Sequence, residues 1–438
     1  MGAAGRVPPL LLAIGLLLPS AGRADDRFDA LHEVLRHFEV AFVDRANPSA
    51  LLLGALEGLH QAAPECRIRL HGQPELFRLE AGGQTVSIRR QALRDIPALE
   101  KALMAAAGLA VDQGLAQPAA LQRAMVRQLV AHCGDPWSVY LDAELYPRLL
   151  DDGSRQMGST GMLVELWGDG LRVLDVQAGS PAAAADLRRG MRIDAIAGRP
   201  SERLNELEAL ALMRGPLGAE VEVVVAGEKH RLELAAEPKR NMAVTPIEGG
   251  LAHVHIMNFR DGTGRRLAAV MRKLGQHFDG RLKGVVLDLR GNPGGLVTEG
   301  TAVAGLFLPA GEVVRVVSKK HMRSEVERNP RPGPYRELPM VVLVDHRSAS
   351  VSEIVAMALR DYDRCPLVGE KTLGKGTVQV VLELMDGSAL KLSTGRYYSP
   401  KGTPIYEGIE PDQEVSWDGR GQDPQLARAL RLLRPKAR

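Results

Sequence analysis

Three serines fall within five residues of the segment "HRSASVSEIVAMALRDY", which starts at His346 straight after the apolar run "MVVLV". A hydroxyl at the start of a helix that follows a buried strand has two uses. Ser348 or Ser350 can cap the helix, with Glu353 closing a capping box. Alternatively, one serine is a nucleophile whose exposed Oγ sits beside backbone N–H groups able to hold an oxyanion. A serine nucleophile needs a base, because its hydroxyl is almost un-ionised near neutrality. None of the 11 histidines sits in a triad pattern. His346 is only four residues from Ser350 and can face away, and His132 and His255 lack flanking motifs. Lysine can serve if burial lowers its pKa from ~10.4 towards 7 to 8. Lys375 in "GEKTLGKGTVQVVLEL" is flanked by Gly374 and Gly376, which allow close backbone approach. Gln379, four residues on, shares its face in a strand, so the amide can hold the amine. The competing reading of Lys375 is a solvated lysine in a turn.

The elements that position these groups read as α/β from Asn241 onward. "LAHVHIMNF", a helix over "GRRLAAVMRKLGQHF", the buried-type strand "GVVLDLR", a Gly-rich turn, "VTEGTAVAGLFL" and "MVVLVD" repeat strand, turn and helix. Ligands of open α/β sheets bind where strand C-termini meet loops. "DLRGNPGG" and "DHRSAS" both fall at such a mouth, which places them at one site. Upstream, residues 151–240 read as a small β domain with a short Ala-rich helix from Pro181, a helix over "NELEALALM" and a closing hairpin. Residues 25–150 show helical spacing (Phe28, Leu31, Leu35, Phe38, Phe42, then Leu52, Ala55, Leu56, Leu59), interrupted by the strand-like "RIRL", "LFRLE" and "QTVSI".

Composition narrows the class. The 438 residues are 45% hydrophobic and 25% charged, ordinary for a globular chain with two or three cores. Residues 1–24 have the layout of a cleaved secretory signal: Arg6, an apolar run from Leu10 to Leu18, then small residues to Ala24. A retained anchor is the alternative, although a span needs about 20 apolar residues. Removing Arg6 and Arg23 takes the formal charge from +3 to about +1, and no basic cluster points to nucleic acid. Cys66 and Cys133 can pair in an oxidising compartment, or all three cysteines, with Cys365, can be buried free thiols. No HExxH or paired Cys/His spacing points to a metal, no cofactor is expected, and "GNPGG" lacks the Lys-Ser/Thr of a phosphate loop.

Taken together, "GDPWSVYL", "GSPAAAADLRRGMRIDAIAGRP", "LMRGPLGAEVEV", "VVLDLRGNPGG", "VVLVDHRSASVSEIVAMALRDYDR", "VGEKTLGKGTVQ", "TGRYYSPKGTPI" and "GIEPD" resemble the carboxyl-terminal processing peptidases. These tail-specific proteases are Ser-Lys enzymes with an inserted PDZ domain. The resemblance covers about Cys133 to the C-terminus. It implies an α+β multidomain chain: a signal (1–24), a mostly helical N-terminal cap (25–150) with a small β/α insertion around 66–117, a PDZ-like β domain (151–240) and a crotonase-like α/β catalytic core (241–438). It further implies Ser350 as nucleophile, Lys375 as general base and Gln379 as its orienting partner, with the oxyanion on the backbone N–H of Val351 and of Gly294 or Gly295. The PDZ-like domain would hold a substrate's C-terminal carboxylate on the backbone around Gly161, Met162 and Leu163. Arg214 in "MRG" is the residue singled out to carry a signal from that domain to the active site.

The sequence departs from the family pattern at Trp137, where histidine is usual, and at Asp186 and Met191, where Gly and Asp are common. The insertion at 66–117 reads as a partner-binding or access-restricting module. The expected activity is a serine endopeptidase, exported and periplasmic, that acts on protein or peptide substrates with apolar C-termini. An adaptor protein and assembly as a homodimer or higher oligomer are further expectations, the alternative for the amphipathic N-terminal helices being packing onto their own core. Two other readings remain: a catalytically silent PDZ scaffold, and a crotonase-like acyl-transfer enzyme.

Overall fold

The structure is a computed structural model that describes residues 26–71, 76–149, 157–168, 170–177, 179–236, 241–319, 324–418 and 421–434. The expected signal at 1–24 lies outside the described residues. The chain forms two compact units, one of residues 1–238 with 379–393 and one of residues 239–378 with 394–438.

The first unit opens with helices Asp29–Val40, Pro48–Ala62, Ile96–Asp112 and Pro118–Ala131. Their starts are written locally. Asn47 accepts from the N–H of Ser49 and Ala50 ahead of Pro48, and Asp95 accepts from Ala98. The apolar positions read from the sequence, Phe28, Leu31, Leu35, Phe38, Leu52, Ala55 and Leu59, are all fully buried in one core. Helices Pro48–Ala62 and Pro118–Ala131 cross closely, since a Cβ on Gly58 would sit 2.2 Å from the Ala124 carbonyl oxygen. Between the second and third helices, Arg67–His71, Leu76–Ala81 and Gln84–Arg89 form an antiparallel three-stranded sheet, so the segment around 66–117 holds this sheet followed by the helix Ile96–Asp112.

The same unit holds a second β element, with strands in the order Glu228–Glu233, Glu220–Val225, Arg192–Ile196, Gly170–Val176, Met162–Trp167. Met162–Trp167 is therefore an edge strand. The helix Glu206–Leu212 lies beside it, started by Asn205 with a capping box to Glu208. Asp186 adopts φ 56°, which explains why glycine suits that position.

The second unit is the α/β element. Its sheet runs Met242–Ile247, Leu251–Ile256, Gly284–Asp288, Met340–Val344, Leu367–Gly369, Gln413–Glu414, and from the second strand onward all pairings are parallel. Helices Thr263–His277, Val297–Gly305 and Val351–Asp361 share one core with one face of the sheet, while Pro424–Leu433 covers Val286, Val341, Leu343 and Val368 on the other. Burial on both faces accounts for the continuous apolar runs "GVVLD" and "MVVLV". Because Gly284–Asp288 and Met340–Val344 are adjacent and parallel, the loops that follow them leave the sheet at the same end.

Candidate active site

Ser350 ends the loop after Met340–Val344 and precedes helix Val351–Asp361. Its backbone lies at φ 55°, ψ −113°, a conformation that costs an L-residue energy and persists only where the surroundings enforce it. The surroundings here are the two flanking serines, both fully buried. Ser348 Oγ accepts from the Asp345 N–H (3.0 Å) and donates to the Leu289 carbonyl (2.8 Å), and Ser352 Oγ donates to the Asn292 carbonyl (2.9 Å). Ser350 itself is half-buried. The triplet thus divides into two fully buried structural hydroxyls and one half-buried one, at the N-cap position where Ser350 and Glu353 form a capping box.

The Gly-rich loop is fastened to the same turn. Asn292 donates from Nδ2 to the Ile256 carbonyl (2.8 Å), and its own carbonyl accepts from the Ala349 N–H (3.0 Å). A Cβ on Gly294 would sit 2.9 Å from Ser350 Cβ and 3.1 Å from Val351 N, so only glycine permits this approach. Of the two glycines named for the oxyanion, Gly294 has its N–H committed to Asn292 Oδ1 at 2.9 Å. Gly295 is held instead by its neighbours: Phe259 N–H donates to the Gly294 carbonyl (2.9 Å) and Leu296 N–H to the Phe259 carbonyl (2.8 Å). This alternation turns the Gly295 N–H away from that strand, so among the described residues the Gly294 N–H is committed and that of Gly295 has no acceptor.

Glu353 joins the serine turn to the lysine loop. Fully buried, its carboxylate accepts from Ser350 N–H (2.8 Å), Thr372 Oγ1 (2.6 Å), Gly374 N–H (2.7 Å) and Lys375 N–H (2.9 Å). Leu373 N–H adds a bond to the Ser348 carbonyl (3.1 Å). Burial pushes the Glu353 carboxyl above its ordinary value, and the four donors act against that shift. Its capping role was legible in the spacing Ser350-x-x-Glu353, but its three bonds to residues 372–375 were not. Lys375 is half-buried. Gln379 falls in the 379–393 segment of the first unit, where its Nε2 donates to Ser393 Oγ at 3.4 Å.

A second missed network supports the Gly-rich loop from below. Arg290 clamps Asp288 through Nε (2.9 Å) and Nη2 (2.6 Å), reaches Gln425 Oε1 (2.8 Å) and pairs with Asp423 (2.9 Å). Burial alone would raise the Asp288 carboxyl, but His253 Nε2 at 2.8 Å and the Arg290 guanidinium hold it well below the usual carboxylate range. The Gly291 N–H donates to Asp345 (2.8 Å), which also holds Arg347. The histidines considered as bases are occupied elsewhere: His346 by Glu370 (2.9 Å), His255 by the Arg290 carbonyl (3.0 Å), His132 by the Gln128 carbonyl (2.9 Å).

In the first unit, the TGML turn is shaped by Gly161 at φ 76°, packed so closely on Ser180 that a Cβ would lie 2.1 Å away. Met162 is buried with its N–H on Thr160 Oγ1 (3.3 Å), while Leu163 is 40% exposed. Arg214 is half-buried in the short strand Arg214–Pro216, opposite Ser159. Cys66, Cys133 and Cys365 are free thiols, and burial pushes Cys133 up to about 11 and Cys365 up to about 12.

Residues 250–415 match the model of peptidase family S41, and residues 172–227 match a PDZ domain. The chain is 33% identical over 288 residues to the carboxy-terminal-processing protease of Bartonella bacilliformis, covering 64% of this chain and 66% of that one. It is 31% identical over 304 residues to the carboxyl-terminal-processing protease of Synechocystis sp., covering 66% of this chain and 70% of that one. The chain belongs to the carboxyl-terminal processing protease family. Membership makes it a serine-type peptidase with a PDZ domain, and the matched stretches span about two thirds of these relatives' own length. The fold agrees with that of a solved photosystem II D1 C-terminal processing protease, with a TM-score of 0.64 at 21% identity over 90% of this chain and 94% of that one. The multidomain α+β architecture expected from the sequence is the one observed.

Proposed function

We propose that this family member is an endopeptidase that cleaves proteins at or from their C-terminal tails, captured by the PDZ domain, through a Ser350–Lys375 dyad oriented by Gln379. One observation carries the reading: the Glu353 carboxylate binds the backbone of both Ser350 and Lys375, with Ser350 in a strained conformation beside Gly294. Neutral Lys375 takes the proton as Ser350 Oγ attacks a peptide carbonyl carbon, and the oxyanion is received by the N–H groups of Val351 and Gly295. Lysine then returns the proton to the leaving amine. Water, deprotonated by the same amine, hydrolyses the acyl-enzyme and restores both groups.

An apolar tail end, export to the periplasm, assembly as a homodimer or larger, and dependence on an adaptor complete this reading, with Arg214 relaying tail occupancy to the dyad. The test is mass spectrometry of an unfolded protein and an apolar-tailed peptide incubated with the mature chain, with Ser350→Ala and with Lys375→Ala. Cleavage by the wild type alone, with activity lost in acid as lysine becomes protonated, supports the dyad. Equal binding of the peptide by all three without cleavage would leave a tail-binding scaffold.

A further inference from the structure

The edge strand Met162–Trp167 carries its own competitor. Leu166 lies opposite Leu171 of the neighbouring strand, and its N–H donates to Glu206 Oε1 at 3.2 Å, across the gap to the first residue of the helix Glu206–Leu212. Glu206 is exposed and has no cationic partner among the described residues. The other acids nearby are differently placed: Glu208 is fully buried and held by Arg127 (2.6 Å), and Glu165 is paired with Arg172, which also stacks 3.5 Å over Trp167. Glu206 thus places a carboxylate on the rim of the space between strand and helix, at the helix N-terminus, where it accepts from a backbone N–H.

A tail that adds to this edge runs antiparallel to it, so each step along the strand is one step back along the peptide. With the last residue opposite Met162, Leu166 faces the fifth residue from the carboxyl end. Side chains of the last, third and fifth residues share one face. Full pairing of a five-residue tail requires the Leu166 N–H, and therefore the displacement of Glu206. A lysine or arginine at the fifth position would meet the displaced carboxylate, whereas an acid there would be repelled by it.

We infer that Glu206 is a specificity-determining residue which selects protein tails bearing a basic side chain at the fifth position from the carboxyl end. The inference rests on the reading of this domain as the tail-capturing one. The test measures binding of labelled eight-residue peptides to the full chain carrying Ser350→Ala, which prevents turnover, by fluorescence anisotropy. The peptides share an apolar last residue and carry Lys, Gln or Glu at the fifth position, and an amidated version of the Lys peptide serves as control. The expected order is Lys, then Gln, then Glu, each step roughly twofold to fivefold, the range of an exposed ion pair.

Glu206→Gln keeps an oxygen for Leu166 N–H and removes the charge, so the three peptides should then bind within about twofold of each other. Glu206→Lys should invert the order, which guards against a merely weakened fold. If the wild type binds all three acids-terminated peptides equally, the role of Glu206 is overturned while tail capture stands. If no peptide binds, or the amidated control binds as well as the free acid, tail capture itself fails and the inference falls with it.

Discussion

The serine turn and the edge strand Met162–Trp167 solve opposite problems. Around Ser350 nearly every polar group is consumed: Ser348, Ser352, Asn292 and Glu353 are fully buried and bonded to backbone from three other segments. Along the edge strand Leu163, Leu166 and Trp167 are 40%, 56% and 59% exposed, and a hydrogen bond across the gap goes to an exposed glutamate. Bond-making chemistry rewards groups fixed beforehand, because positioning error is converted directly into barrier height. Capture of varied tails rewards a free edge that supplies main-chain hydrogen bonds to any sequence.

The comparison breaks most severely if the proposed reacting pair is removed. Ser350→Ala and Lys375→Ala should each lower peptide cleavage by at least about 10³-fold while leaving tail affinity within twofold, measured by product mass spectrometry and anisotropy on the same samples. Next in size is the loop proposed to hold the oxyanion. Gly295→Ala places a Cβ 2.2 Å from the Phe259 carbonyl oxygen at φ 143°, so the loop must shift, and kcat should fall ~10²- to 10³-fold.

Glu353→Gln sharpens the contrast, since it alters the scaffold and leaves both side chains of the proposed dyad in place. An amide offers one accepting oxygen to a cluster that now has four donors, so a cost of about 2 kcal/mol in stability and a fall of ~10- to 100-fold in kcat are expected. Denaturant melts and single-turnover rates separate the two effects.

The pH dependence of stability locates the support under the loop. The Asp288 carboxyl lies below its unfolded value, so its contribution is fully present above about pH 4 and is lost as pH falls towards the depressed native value. Asp288→Asn should cost about 2 kcal/mol at pH 7, because the largely buried Arg290 loses its bidentate carboxylate and keeps only Asp423 and Gln425, and that deficit should shrink on acidification. The smallest effect belongs to His346→Ala. That side chain is about half exposed and faces Glu370, and cleavage should change less than about twofold, in contrast to every substitution inside the turn.

Much of this was legible in the chain. Periodicity located the helices of residues 29–131, because a buried helical face must recur every three or four residues. The apolar runs before Asp288 and Asp345 announced doubly covered parallel strands, and loops that follow such neighbours must open at one end. The spacing Ser350-x-x-Glu353 revealed a helix start.

Tertiary structure decided the rest, since it alone sets which distant backbone groups share a partner. Nothing in the order of residues says that Glu353 reaches Thr372, Gly374 and Lys375, or that Asn292 takes the Gly294 N–H and leaves that of Gly295 free. The Arg290 contacts with Asp423 and Gln425 span more than 130 residues. Sequence therefore pointed to the side chains proposed to carry chemistry and to where each element begins, both short-range properties of the chain. The three-dimensional fold selected among their possible partners, because a buried polar group must be satisfied and only packing determines which group is near enough to do it.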